Sequence, residues 1–137
     1  VLKPAACLAC HRFGDEGLFV GPDLTAIGGR FDTRAMLESI LEPSRGIDDK
    51  YRNVAITTKQ GELIAGRLVA ERDKSLLLAP NPYQPTLTRE IQRSAIATRN
   101  DSTFSPMPVG LLNSFSPEDI LDLLAVLKKG EPPVRGE

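Results

Sequence analysis

Residues 53–80 read NVAITTKQGELIAGRLVAERDKSLLLAP, and along them the apolar residues alternate or run together instead of following a helical period. Runs rich in β-formers cover Val54–Thr58, Leu63–Val69 and Leu76–Ala79, separated by the turn-like Gln60-Gly61-Glu62 and Arg72-Asp73-Lys74-Ser75. Past the proline-rich PNPYQP at 80–85, further β-like pieces occupy Thr86–Ile91 and Ala95–Thr98. Four or five short strands with no helical pattern predict a small antiparallel sheet or barrel. Gly61 suits a turn, and Gly66 a strongly bent strand.

On either side the period returns to helix. Upstream, FDTRAMLESILEPS at 31–44 has Asp32 as N-cap, an apolar stripe of Met36, Leu37, Ile40 and Leu41, and Pro43 as its stop. Downstream, Ser116 caps a helix with Pro117 in its first turn, acid at Glu118 and Asp119, and a Phe115/Ile120 staple. Ile120, Leu121, Leu123, Leu124, Val126 and Leu127 form its apolar face, and Lys128, Lys129 and Gly130 close it. At the start, Pro4, Ala5, Ala6, Leu8 and Ala9 read as a short helix, followed by a glycine-rich loop over GDEGLFVGPDLTAIGGRF at 14–31.

The chain of 137 residues is long enough for a real core. A formal charge of −1 provides no field for nucleic acid or an anionic membrane. No apolar run approaches the length of a membrane span, and the start has neither a basic n-region nor an apolar h-region, so it reads as a mature or excised piece. Aromatic residues make up only 5% and tryptophan is absent, which is thin for such a core.

Cys7-Leu8-Ala9-Cys10-His11 places both cysteines and the single histidine in five consecutive residues. A dithiol redox centre would follow a strand in a βαβ unit, and no strand run precedes Cys7. Zinc needs four ligands, and with no further Cys or His a carboxylate such as Asp15 would have to complete the set. Covalent haem attachment needs only the two thiols and the adjacent histidine, plus a sixth ligand, and it is the preferred reading. A second histidine ligand is impossible. Met36 lies on a helical stripe and reads as core filler. Met107 lies between Pro106 and Pro108, where φ is fixed on both flanks and no regular element explains an apolar residue, so it reads as an axial thioether.

These residues resemble monohaem class I cytochrome c: the attachment motif, then Gly21-Pro22-Asp23-Leu24, then Met107 before a leucine-rich terminal helix. More narrowly, VGPDLTAIGGRF, ILEPSRGIDDKY and SPMPVGLLNSFSPEDILDLLAVLKK are similar to the haem-binding C-terminal domain of large secreted planctomycete and verrucomicrobial proteins, from about Ala5 to Lys129. The resemblance implies an α+β fold in which a cytochrome c-like helical haem domain carries an inserted antiparallel sheet or barrel of SH3/Sm type before the methionine loop. The parts would be residues 1–50 with the haem attachment, 51–100 as the β insertion, and 101–137 with the methionine loop and last helix.

It also implies roles residue by residue. The Pro22 carbonyl would accept the N–H of the His11 imidazole, Leu24 and Ile27 would wall the haem, Arg30 would lie near a propionate, and His11 and Met107 would bind iron. Two departures stand out: Val126 replaces the usual aromatic of the last helix, and only six residues precede Cys7. The expected function is an electron-transfer module with one haem c, served by a redox partner or a fused dehydrogenase-type domain, in a periplasmic or exported location. The alternative is a haem-based sensor or small-gas-binding module with a weak or absent sixth ligand. No acid/base cluster suggests an enzyme. The β insertion reads either as a structural graft or as a docking surface for a partner.

Overall fold

The computed structural model describes residues 6–130. The chain divides into two compact units, one made of the residues up to Pro43 together with those from Pro108 on, the other of Ser44–Met107.

The second unit is a five-stranded antiparallel sheet. Its strands are β3 (Asn53–Thr58), β4 (Leu63–Glu71), β5 (Ser75–Ala79), β6 (Arg89–Gln92) and β7 (Ile96–Asp101), in the order β6-β5-β4-β3-β7. Strand alternation sets its core. Val54, Ile56 and Thr58 of β3 point inward against Ile64, Leu76, Leu78 and Ile91, while intervening residues face out. Gly61, at φ 87°, makes the β3–β4 turn. Gly66 answers a different need: a Cβ there would stand 2.6 Å from the Ala79 carbonyl oxygen, so a side chain would push the end of β5 away. Register shifts at Thr57/Thr58 and between Leu68 and Ala70 bend the sheet. β6 begins at Arg89, later than the alternation from Thr86 predicts, because two hydrogen-bonded turns over Asn81–Leu87 use that backbone.

The first unit contains a two-stranded ribbon, β1 (Arg12–Phe13) with β2 (Glu16–Gly17), and two helices, α1 (Thr33–Leu41) and α2 (Pro117–Lys129). Asp32 caps α1 by accepting from the Ala35 amide at 2.7 Å. Ser116 and Asp119 form a complete capping box on α2, and Gly130, at φ 75°, ends it. Phe13, Met36, Leu112, Leu123, Leu124 and Leu127 are buried together. Leu41 and Leu121, placed on apolar stripes by their spacing, are 53% and 66% exposed.

The expected helical cytochrome c-like fold is not what the chain adopts. Among the described residues there are only two α-helices, against a five-stranded and a two-stranded antiparallel sheet. The helix expected to deliver the cysteines is replaced by a single 3-10 turn over Cys7–Ala9, because Ala6 takes the left-handed conformation at φ 58°, which an α-helix cannot continue through. Pro4 and Ala5, the proposed start of that helix, lie outside the described residues. Among the described residues no helix is long and apolar enough to cross a membrane.

Candidate functional site

The turn at Cys7–Ala9 folds the chain so that the amides of Cys10 and His11 both donate to the Cys7 carbonyl, at 3.1 and 2.8 Å. The ribbon that follows brings later backbone back to this turn. Val20 and Gly21 donate to the Cys10 carbonyl at 2.9 and 2.7 Å, and Leu24 donates to the Arg12 carbonyl at 2.9 Å. Gly14 and Asp15 form the ribbon's turn; Gly17, at φ 97° in β2, lies so close to the His11 carbonyl that any Cβ would collide with it.

This wrapping fixes the histidine. His11 Nδ1 lies 2.6 Å from the Pro22 carbonyl oxygen, which can only accept, so Nδ1 carries the shared hydrogen and Nε2 is the ring nitrogen outside that bond. The ring lies against Gly21, where a Cβ would be 2.7 Å from Cε1 and 2.9 Å from Nδ1. Thr25 locks the same loop from the other side: its Oγ1 accepts from the Gly14 amide at 2.8 Å, and its own amide donates to the Asp23 side chain at 2.8 Å. Hydrogen bonds from the Thr25 side chain and amide hold the Asp23 carboxyl below its ordinary value.

Leu24 and Ile27 are half-buried against the first unit's core, where Cys7 and Leu8 also pack. Arg30 is exposed, its guanidinium over the Phe31 ring at 5.6 Å. Met36 is buried in the core, in the filler position its spacing predicts. Met107 is the last residue of the second unit; it is half-buried, and its amide donates to Ser105 Oγ at 3.1 Å.

Three ligand chemistries can be tried against this geometry. For zinc, among the described residues no three His, Cys, Asp or Glu side chains form a group that could hold a metal ion. Asp15, the carboxylate that would have completed such a set, is fully exposed on the ribbon turn and lies 3.6 Å from the Arg12 guanidinium. A dithiol centre works through a low-pKa thiolate, whereas burial pushes the Cys7 thiol up. A haem fits better. It needs a histidine with Nε2 available and Nδ1 tethered, two nearby thiols, and an apolar wall that the polypeptide leaves incomplete. In the first unit Cys7, Leu8, Leu24, Ile27, Leu37, Ile40, Phe115, Ile120 and Val126 are only partly covered, although all pack on the core. Leu18, Phe19 and Phe31 are further exposed. These incompletely covered apolar residues outnumber the six that the core buries, and flat apolar bulk would cover them.

The glycines at 17 and 21 were not distinguishable from ordinary loop glycines by spacing; only the return of the chain onto His11 gives them their role. No family model matches the chain, and neither does any curated protein.

Proposed function

We propose that this chain is a one-electron carrier with a single covalently bound c-type haem, attached through Cys7 and Cys10, ligated by His11 Nε2, with Met107 as sixth ligand. The observation that carries the reading is the 2.6 Å bond from His11 Nδ1 to the Pro22 carbonyl, immediately beside the two thiols. A bound haem would supply the reversible iron couple.

The chain's own residues do the rest. Pro22 fixes the tautomer and the plane of the imidazole, and its carbonyl makes Nε2 a stronger donor. Gly21 lets the ring lie against backbone, so the ligand is held with little rotational freedom. Leu24 and Ile27, half-buried on the core, would exclude water from the apolar side of a bound haem. Met107, as the second iron ligand, would favour the reduced state and leave no coordination position for a substrate, which suits electron passage. The reading rests on the attachment motif and this local geometry, and not on helical architecture. Thioether attachment implies an exported location and a protein redox partner.

Absorption spectra of the ferric and dithionite-reduced protein, with and without carbon monoxide and beside Met107→Ala, test the proposal. The expected result is a weak long-wavelength ferric band that the variant loses, a low-spin reduced form, and indifference to carbon monoxide. Ready carbon monoxide uptake by the wild type would move the protein to the sensor class. Absence of haem after expression with attachment machinery would sink the proposal outright.

A further inference from the structure

The sheet unit contains a chain of polar contacts whose end is Met107. Arg52, just before β3, is half-buried and reaches across the unit: Nη1 donates to the Ser102 carbonyl at 2.9 Å, Nη2 to the Ile47 carbonyl at 3.3 Å, and Nε to Asp49 Oδ1 at 3.3 Å. The Ser102 amide donates to the Asn53 carbonyl at 2.8 Å, so both backbone polar groups of Ser102 are tied to consecutive residues. From there the contacts run outward. Ser102 Oγ accepts from the Phe104 amide at 3.1 Å, Ser44 Oγ accepts from the Ser105 amide at 2.9 Å, and Ser105 Oγ accepts from the Met107 amide at 3.1 Å. Pro106 and Pro108 restrict the remaining torsions.

We propose that Arg52 is a positioning residue for Met107: by fixing the Ser102 end of the 102–107 segment it sets how firmly the thioether can be presented to iron. This inference rests on the proposed ligand role of Met107 and assigns the sheet unit a task, that of a pedestal for the ligand loop. The physical basis is pre-organisation. A loop already ordered by its own unit loses little entropy when its side chain binds, whereas a loosened loop spends more time off the metal. A guanidinium is suited to the task because its planar fork reaches three acceptors on two segments at once, which an ammonium cannot do.

The test compares Arg52→Met, Arg52→Lys and Ser44→Ala with Arg89→Met, which breaks the 2.7 and 2.8 Å pair to Glu62 elsewhere in the same unit. Two quantities are read on the full chain: hydrogen exchange of the peptide containing Ser105 and Met107, which needs no haem, and the rate of carbon monoxide uptake by the reduced protein. Arg52→Met removes three hydrogen bonds and should raise both at least about tenfold, the factor that one charge-assisted hydrogen bond supplies, with Arg52→Lys and Ser44→Ala in between and Arg89→Met near wild type. Adding Met107→Ala should abolish the effect of Arg52→Met on carbon monoxide uptake. Equal effects from Arg52→Met and Arg89→Met would overturn the proposal as general loosening, and so would an Arg52→Met variant that matches wild type in both quantities. If exchange rises while Met107→Ala by itself leaves carbon monoxide uptake unchanged, the ligand reading is wrong and the inference falls with it.

Discussion

Gly21→Ala isolates the packing of the histidine. The added Cβ would sit 2.7 Å from His11 Cε1, against the 3.4 Å at which ordinary contact begins, so ring or backbone must yield by about 0.7 Å. Gly21 has no positive φ, so the substitution adds contact without backbone strain. Displacing the ring by that distance stretches the Nδ1 bond to Pro22 from 2.6 Å to the limit of a useful hydrogen bond. The lost bond costs about 1 kcal/mol and overpacking about 1–3 kcal/mol, together roughly 2–4 kcal/mol. In urea this lowers the midpoint of the transition of the unit that contains His11 by roughly 1–2 M. Nitrogen-resolved NMR of the imidazole should at the same time lose the clean Nδ1–H signature. Gly29→Ala is the control, since a Cβ there meets nothing within 4 Å; it should be neutral or slightly stabilising through the unfolded chain. If Gly21→Ala stays within about 0.5 kcal/mol of wild type and keeps its tautomer, His11 is not seated on Gly21 and the site geometry argued above is wrong.

Gly28→Ala should destabilise the same unit far more than Gly29→Ala, by more than about 2 kcal/mol, because its Cβ would enter the backbone carbonyl of Lys128, and a shift there also strains the 2.6 Å bond from Lys128 Nζ to the Gly28 carbonyl; equal thermal midpoints for the two variants would contradict the packing. Ser116→Ala removes one side of the capping box and should cost about 1 kcal/mol, read as a lowered melting temperature. Glu71 accepts from Arg93 at 3.1 Å and from Arg99 at 2.8 Å, which holds its carboxyl below the ordinary 4.5. The folded form therefore binds fewer protons, and the contribution is fully present above about pH 4.5 and lost as pH falls below it. Urea midpoints measured down an acid series should fall less steeply in Glu71→Gln than in wild type, and parallel curves would refute the assignment.

Where local physics sets the structure, the sequence was sufficient. Val54, Ile56 and Thr58 alternate because one face of β3 is buried, and Asp32, Ser116 and Gly130 mark helix ends because backbone groups there need partners or a left-handed turn. Where long-range contacts set it, the sequence was silent. The left-handed Ala6 has no signal in VLKPAAC, and β1 and β2, two residues each, are shorter than any period can register. The cytochrome c-like helical expectation came from resemblance, and the described backbone departs from it in having two α-helices beside two antiparallel sheets and a 3-10 turn at Cys7–Ala9. Arg52 could have been suspected only by knowing that Ile47 and Ser102 would be neighbours, a pairing fifty residues apart on one side.

The first unit is discontinuous in the chain, and this orders events during synthesis. Phe13 and Met36 emerge early, but their buried partners Leu112, Leu123, Leu124 and Leu127 emerge only after the second unit. At about 5–20 residues per second, the interval is on the order of ten seconds. Ser44–Met107 is contiguous and can complete its sheet without those later residues. Cys7, which packs on that core, spends the same interval without it, and that is when an oxidant could join it to Cys10. A change that delays the docking of α2 should therefore show first as a larger share of intramolecular disulfide in newly made chains, before it shows in the stability of finished ones.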